Sequence, residues 1–263
     1  MSQKATYLDR ILEHHRALAA NDDRSLADLV RRCEQMQAAR GFRVRLQMDA
    51  TQAIAVISEI KRKSPSKGLL RADLDPQFLA DAYQAGGASC LSVLTDEDFF
   101  AGSIEDLQIA AAACTLPVLR KDFTVSPHDV CDTRLMGADC VLLIAAALDP
   151  HELKDLHHLA TSIGLDVLVE IHDEAELEVA LFAEALLIGV NQRDLVTFEV
   201  DHHRALRMAE LIPSGVLRVA ESGVRGPADA LALHQAGYHA VLVGESLVTA
   251  DDPTGAVRAL RNL

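Results

Sequence analysis

Glu59 and Lys61 in SEIKRKSPSKG, and Lys121 in PVLRKDF, each stand at the end of an apolar run. A segment built only for burial avoids charge, because an ionised group taken out of water without a partner is costly. Acids and lysines at such positions are the residue types that give and take protons. Three more runs end the same way: DVLVEI in Glu170, ALLIGVNQR in Asn191 and Arg193, and LRVAESG in Glu221. Side chains two apart on a strand share a face. Glu59 therefore lies with Lys61, Leu119 with Lys121, Leu168 with Glu170, Gly189 with Asn191 and Arg193, and Val219 with Glu221. In each set the polar member comes toward the carboxyl end.

The elements that position these groups are legible in the same runs. AIAVISEIK, ASCLSVLTD, LPVLRKDF, ADCVLLIA, DVLVEIHD, ALLIGVNQR, LRVAESG and AVLVGES alternate with helical segments. Such alternation means parallel strands joined by crossover helices. Eight units in 263 residues predict a closed (β/α)8 TIM barrel, with the five polar strand ends gathered at its carboxyl-end mouth. An open doubly wound sheet is the alternative, but the G-x-G-x-x-G turn expected after its first strand is missing. Residues 1–50 read as an amphipathic N-terminal helical extension, with Tyr7, Leu8, Ile11, Leu12 and then Leu26, Leu29, Val30, Cys33 at helical spacing. Residues 51–263 form the barrel in this reading. Gly86, Gly137 and Gly237 close helices just before strands, where a left-handed cap is needed.

The loops after strands seven and eight, ESGVRGPAD and GESLVTADD, are placed to bind phosphate. Gly223 and Gly244 let backbone N–H groups approach an anion, and Ser64, Ser222 and Arg193 add hydrogen bonds and charge. That local convergence has to work against a formal net charge of -14, which also argues against nucleic-acid and anionic-membrane partners. The five cysteines form no C-x-x-C pair and read as the reduced thiols of a cytosolic enzyme. No secretory leader or bilayer-spanning stretch is expected. The pairs His14-His15, His157-His158 and His202-His203 are adjacent, where two ligands on one helical face need a spacing of three or four, so they read as solvated helix positions. No metal site is expected, and oligomeric state is not legible.

The blocks EIKRKSPSKG at 59–68, LSVLTDEDFFAGS at 91–103, PVLRKDF at 117–123, DVLVEIHDEAEL at 166–177, GVNQRDLVTFEVD at 189–201, AESGV at 220–224 and VLVGESL at 241–247 together resemble indole-3-glycerol phosphate synthases, in order along nearly the whole barrel. The resemblance implies a carboxy-lyase of tryptophan biosynthesis, closing the ring of 1-(2-carboxyphenylamino)-1-deoxyribulose 5-phosphate without a cofactor. By the same resemblance Lys121 is the general acid, Glu170 and Lys61 an acid–base pair, Glu59 and Asn191 the groups that hold the substrate hydroxyls, and Glu221 a further member of the mouth. Ser64, Arg193, Gly223, Gly244 and Glu245, the last through its backbone N–H, fall on phosphate positions, with Ser222 beside them. Phe100, Phe123 and Leu142 would hold the anthranilate ring. Gln192 and Ala220 depart from the pattern beside motif residues, with little effect expected. Burial and the nearby Lys61 are expected to draw the Lys121 ammonium toward neutrality. A related phosphate-binding isomerase barrel, a Schiff-base aldolase on Lys61 or Lys121, and a barrel that binds without chemistry remain as alternatives.

Overall fold

The computed structural model describes residues 6–64, 67–194 and 196–261. Pro65 and Ser66 of the first motif and Leu195 of the N-x-R-D-L segment lie outside the described residues, as do residues 1–5 of the extension.

Eight parallel strands alternate with helices and close into one barrel: β1 (Ala55–Ile60), β2 (Cys90–Leu94), β3 (Val118–Lys121), β4 (Cys140–Ile144), β5 (Asp166–Ile171), β6 (Leu187–Asn191), β7 (Leu217–Glu221) and β8 (Ala240–Val243). Closure is made by β1 pairing with β8, Ala55 opposite Ala240, which excludes the open doubly wound sheet. Strand residues are buried almost throughout because one face fills the barrel and the other meets the helical ring.

Three helices precede β1: α1 (Tyr7–Ala20), α2 (Leu26–Glu34) and α3 (Phe42–Asp49). The ring consists of α4 (Pro76–Gly86), α5 (Ile104–Ala113), α6 (Pro127–Leu135), α7 (Pro150–Ser162), α8 (Glu174–Phe182), α9 (Arg204–Ala209), α10 (Pro227–Gln235), the single turn α11 (Glu245–Val248) and α12 (Pro253–Arg261). Many begin where a short polar side chain caps free N–H groups, as Ser103, Ser126 and Asp173 do. Among the described residues no helix is long and apolar enough to cross a membrane.

The extension packs on both ends of the barrel. Phe42 and Leu46 of α3 are fully buried, and the Arg43 N–H donates to Asp166 at the start of β5. Arg40 just before α3 bonds Asp139 through its backbone N–H and Nε, both at 2.8 Å. Asp139 also receives the Val118 N–H, so one carboxylate ties the extension to the starts of β3 and β4. At the opposite end α1 lies along the mouth. Arg16 reaches the Ala147 carbonyl and Glu152, and the Tyr7 ring meets Phe99 and Phe198 edge-on.

Two details correct the expectations. The left-handed cap of α4 is Gly87 (φ 89), whereas Gly86 is the last helical residue, where a Cβ would lie 2.7 Å from the Thr254 carbonyl oxygen. Gly86 is small for close packing on α12, and Gly137 and Gly237 are left-handed as expected. The histidine pairs are not uniformly solvated helix positions either. His15 is largely buried and bonds Asp96, His157 is buried in α7, and His202 and His203 sit in a turn before α9.

Candidate active site

Every candidate site residue read from the sequence lines one cavity of about 530 Å³ at the carboxyl ends of the strands. These are Glu59, Lys61, Ser64, Phe100, Lys121, Phe123, Leu142, Glu170, Asn191, Arg193, Glu221, Ser222, Gly223, Gly244 and Glu245. Strand register produces the convergence: Glu170 sits opposite Gly189, and Asn191 opposite Glu221. The missing side chain at Gly189 makes room for an acid. A Cβ there would overlap Glu221 Oε1 and lie 3.0 Å from its Cδ.

Lys121 is the hub of the charged floor. Its Nζ donates to Glu170 Oε2 at 2.7 Å and lies 3.5 Å from Glu221 Oε2. Asn191 Nδ2 donates to the other Glu170 oxygen at 3.0 Å. Burial alone would favour neutral Lys121, but the carboxylates of Glu170, Glu221 and Glu59 outweigh it and hold the ammonium well above the ordinary lysine value. The expected drift toward neutrality is therefore wrong. The lysine's neighbours are acids, while Lys61 pairs with Glu59.

The two central acids diverge. Burial raises Glu170, but Lys121, His172 and the bonds from Lys121 and Asn191 reverse this and bring it down to about 2. Glu221 is raised by burial, and the Glu170 and Glu59 charges add to that against the pull of Lys121, lifting it to about 8. Its Oε1 is buried without a hydrogen-bond partner among the described residues. Two carboxyl groups beside one cation thus share the work unequally, one ionised and one keeping its proton at neutral pH.

The walls divide by chemistry. Phe100, Phe123, Leu142 and Ile144 make an apolar side, with the Phe100 and Phe123 ring centroids 6.1 Å apart. Opposite them lie Ser64, the Ser222–Gly223 turn and the start of α11. Ser222 and Gly223 are both left-handed (φ 63 and 74), and a Cβ on Gly223 would lie 2.6 Å from Val200. Gln192 donates to the Ser222 carbonyl at 2.8 Å and so holds that turn. Gly244 also serves the floor, since a Cβ would overlap Glu59 Oε1 and lie 3.2 Å from Lys61 Nζ. The Arg193 guanidinium donates to the Phe198 carbonyl at 2.9 Å.

The sequence reading missed Phe198, Val200 and His202, which line the cavity from the segment after β6. The available signal was apolar residues inside the otherwise polar stretch NQRDLVTFEVDHH. It also missed His15, whose Nε2 bonds Asp96 at 2.9 Å and lies 3.9 Å from Asp122. These ligand atoms are grouped closely enough for a metal. They are already engaged: Asp122 by Arg120, Thr95 and the Phe123 N–H, and Asp96 by the Phe99 and Phe100 N–H groups.

A closed parallel barrel whose strand ends aim lysines and unequally ionised glutamates into one half-apolar cavity defines a (β/α)8-barrel enzyme built for proton transfer. The fold recurs in thiamine phosphate pyrophosphorylase from Pyrococcus furiosus, with a TM-score of 0.60 at 14% identity over 80% of this chain and 95% of that one. It recurs in the N-acetylmannosamine-6-phosphate 2-epimerase of Clostridium perfringens, with a TM-score of 0.59 at 13% identity over 76% and 90%. At such identities these likenesses show the fold alone. The particular family comes from sequence: the family model for indole-3-glycerol phosphate synthase matches residues 8–260. The chain is also 48% identical over 235 residues to the indole-3-glycerol phosphate synthase of Bordetella pertussis, covering 89% of this chain and 90% of the relative. The chain belongs to the indole-3-glycerol phosphate synthase family. Its reaction is closure of the indole ring of 1-(2-carboxyphenylamino)-1-deoxyribulose 5-phosphate, with loss of carbon dioxide and water, in tryptophan biosynthesis.

Proposed function

We propose that Lys121 is the general acid of ring closure, protonating the ketone oxygen as the anilino ring carbon attacks the carbonyl carbon. The supporting observation is the Lys121 ammonium, held by Glu170 at 2.7 Å on the cavity floor. An alkoxide developing there needs a proton, and a positioned acid supplies about 10²–10⁴ in rate. Loss of the ring carboxylate as carbon dioxide then restores aromaticity, and an acid must assist departure of the hydroxyl. Glu170, ionised beside Lys121, and Lys61, paired with Glu59, are the acid–base pair of these steps in this reading. Glu221 keeps its proton near neutrality and supplies a reserve for the departing hydroxyl. Glu59 and Asn191 orient the sugar hydroxyls.

The phosphate would lie against Ser64, Arg193, Ser222 and the backbone N–H groups of Gly223, Gly244 and Glu245, and the anthranilate ring against Phe100, Phe123 and Leu142. The Ser222–Gly223 turn, the glycine at 244 and the paired rings support that division. Residues 51–263 act as the catalytic barrel, and residues 1–50 pack on it. The alternative isomerase reading has nothing to match its cysteine and aspartate pair at Glu59 or Lys121. The test is indole fluorescence over time after mixing protein with the substrate, beside Lys121→Met. Signal in the wild type that falls about 10³-fold in a variant that remains folded is expected. A variant that keeps more than a tenth of the rate removes Lys121 from the role, and a lysine adduct trapped by borohydride would favour Schiff-base chemistry instead.

A further inference from the structure

His172 is a buried titratable group that the reading above leaves unused. It follows β5 directly, two residues beyond Glu170, and is not among the residues lining the cavity. Its ring is held from behind. Glu176 Oε2, in the first turn of α8, accepts the His172 backbone N–H at 2.8 Å and faces Nδ1 at 3.0 Å. That contact puts a hydrogen on Nδ1. Nε2 then faces Glu170 Oε1, 3.8 Å away, buried and without a hydrogen-bond partner among the described residues. With hydrogen on Nδ1 alone, Nε2 would aim a lone pair at a carboxylate inside the protein. A ring protonated on both nitrogens instead presents an N–H to each acid.

We infer that His172 is a positioning residue of the reaction: an imidazolium held between Glu176 and Glu170 that keeps Glu170 a carboxylate while Lys121 turns to the substrate. The need follows from proton bookkeeping and rests on the reading of Lys121 as the acid. Glu170 is held by Lys121 and Asn191, both of which line the cavity. Once Lys121 has given its proton to the substrate oxygen it is neutral, and Glu170 loses its nearest positive charge. His172, which does not line the cavity, keeps its charge through that step. The charged groups facing it are Glu170 from β5, Glu176 from α8 and Arg204 from α9. Burial and Arg204 favour the neutral ring, but the two acids outweigh them and raise His172 above the ordinary histidine value.

The first measurement is the imidazole titration of His172 in the folded full-length protein by heteronuclear NMR. It should lie above the ordinary value of about 6.5 and fall in Glu176→Gln and in Glu170→Gln. The second is the pH–rate profile of His172→Gln and Glu176→Gln. The acid limb, where Glu170 takes up a proton, should move up by about one pH unit, a loss of about fivefold at the wild-type midpoint that approaches tenfold well below it. At neutral pH the loss should be smaller. A ring titrating at or below the ordinary value, or indifferent to Glu170→Gln, overturns the inference, and so does an acid limb that neither variant moves. Should His172→Gln fail to fold, Glu176→Gln and the wild-type titration still decide. Full activity in Glu170→Gln would sink the reading of Glu170 as an acid–base group, a result distinct from failure of the imidazolium pairing, which the titration reports by itself.

Discussion

Glu221 offers a test in which stability and catalysis move in opposite directions. Its carboxyl is raised from 4.5 to about 8 in the folded protein, first by burial. A group whose folded value is raised contributes stability that is complete below the unfolded value and is lost as pH climbs through the folded one. Between pH 4.5 and 8 the wild type therefore loses about 1.4 kcal/mol per unit from this group, or about 3 kcal/mol by pH 7. Glu221→Gln removes the titration while keeping the shape, and its amide N–H can donate to Glu170 as the protonated acid does. Imperfect partnering of the second amide hydrogen takes back part of the gain, leaving about 2 kcal/mol at pH 7. For a chain of this size that is a melting temperature higher by about 4–8 °C. The advantage should shrink below about 1 kcal/mol at pH 5 and be largest at pH 8. Glu170, lowered to about 2, acts in the other direction, adding stability above 4.5 that is lost as pH falls through 2, so the two windows do not overlap. Calorimetric melts of both proteins at pH 5, 7 and 8, with indole formation measured in parallel, make the test. A stability difference that stays flat across that range means Glu221 is ionised in the folded site and refutes the reasoning.

Two further substitutions probe placement rather than charge. Gly189→Ala puts a methyl group onto Glu221 Oε1 and 3.3 Å from Leu168 Cδ1, so the melt should show a loss of about 1–3 kcal/mol, with kcat down by more than about tenfold because Glu221 must move. His15→Ala leaves the buried Asp96 Oδ2 without its partner, costing about 1–3 kcal/mol. Since Asp96 also holds the Phe100 N–H, the substrate KM should rise several-fold while kcat changes little. The His15 ring is drawn down by burial but raised overall by Asp96 and Asp122. Its contribution is therefore present below 6.5 and fades as pH rises, and the His15→Ala deficit in melting temperature should be larger at pH 6 than at pH 9.

The barrel and its mouth were legible for a local reason. A strand sorts its side chains by parity, so Leu168 with Glu170, or Val219 with Glu221, declares both the strand and the face without knowledge of any neighbour. The glycine at 189 could be placed on the same face, but its purpose is set by Glu221 on the next strand, a contact that no local pattern encodes. His15 failed for the complementary reason. Its helix reads as amphipathic from its own sequence, yet what buries it is Asp96 and the Phe123 ring 5.6 Å away, both supplied by loops about a hundred residues on. Protonation was the least legible property. The expectation for Lys121 counted the other lysine and burial, whereas three carboxylates around the ammonium decide the sign.

These charges also explain how a chain with a formal net charge of -14 accepts an anionic substrate. Lys61, Lys121, Arg193 and Arg225 stand at the cavity against Glu59, Asp122, Glu170, Glu221 and Glu245. Counted formally, that is one negative charge. The proton kept by Glu221 removes it at neutral pH, and within a Debye length of about 8 Å a bound phosphate feels this local balance more than the surface. Burial, by forcing one glutamate to stay neutral, thus shapes anion capture as well as acid–base chemistry. On this argument raising the pH through 8 weakens substrate binding before Lys121 begins to lose its proton. The KM for the substrate should climb between pH 7.5 and 9 in the wild type and stay flat over that range in Glu221→Gln.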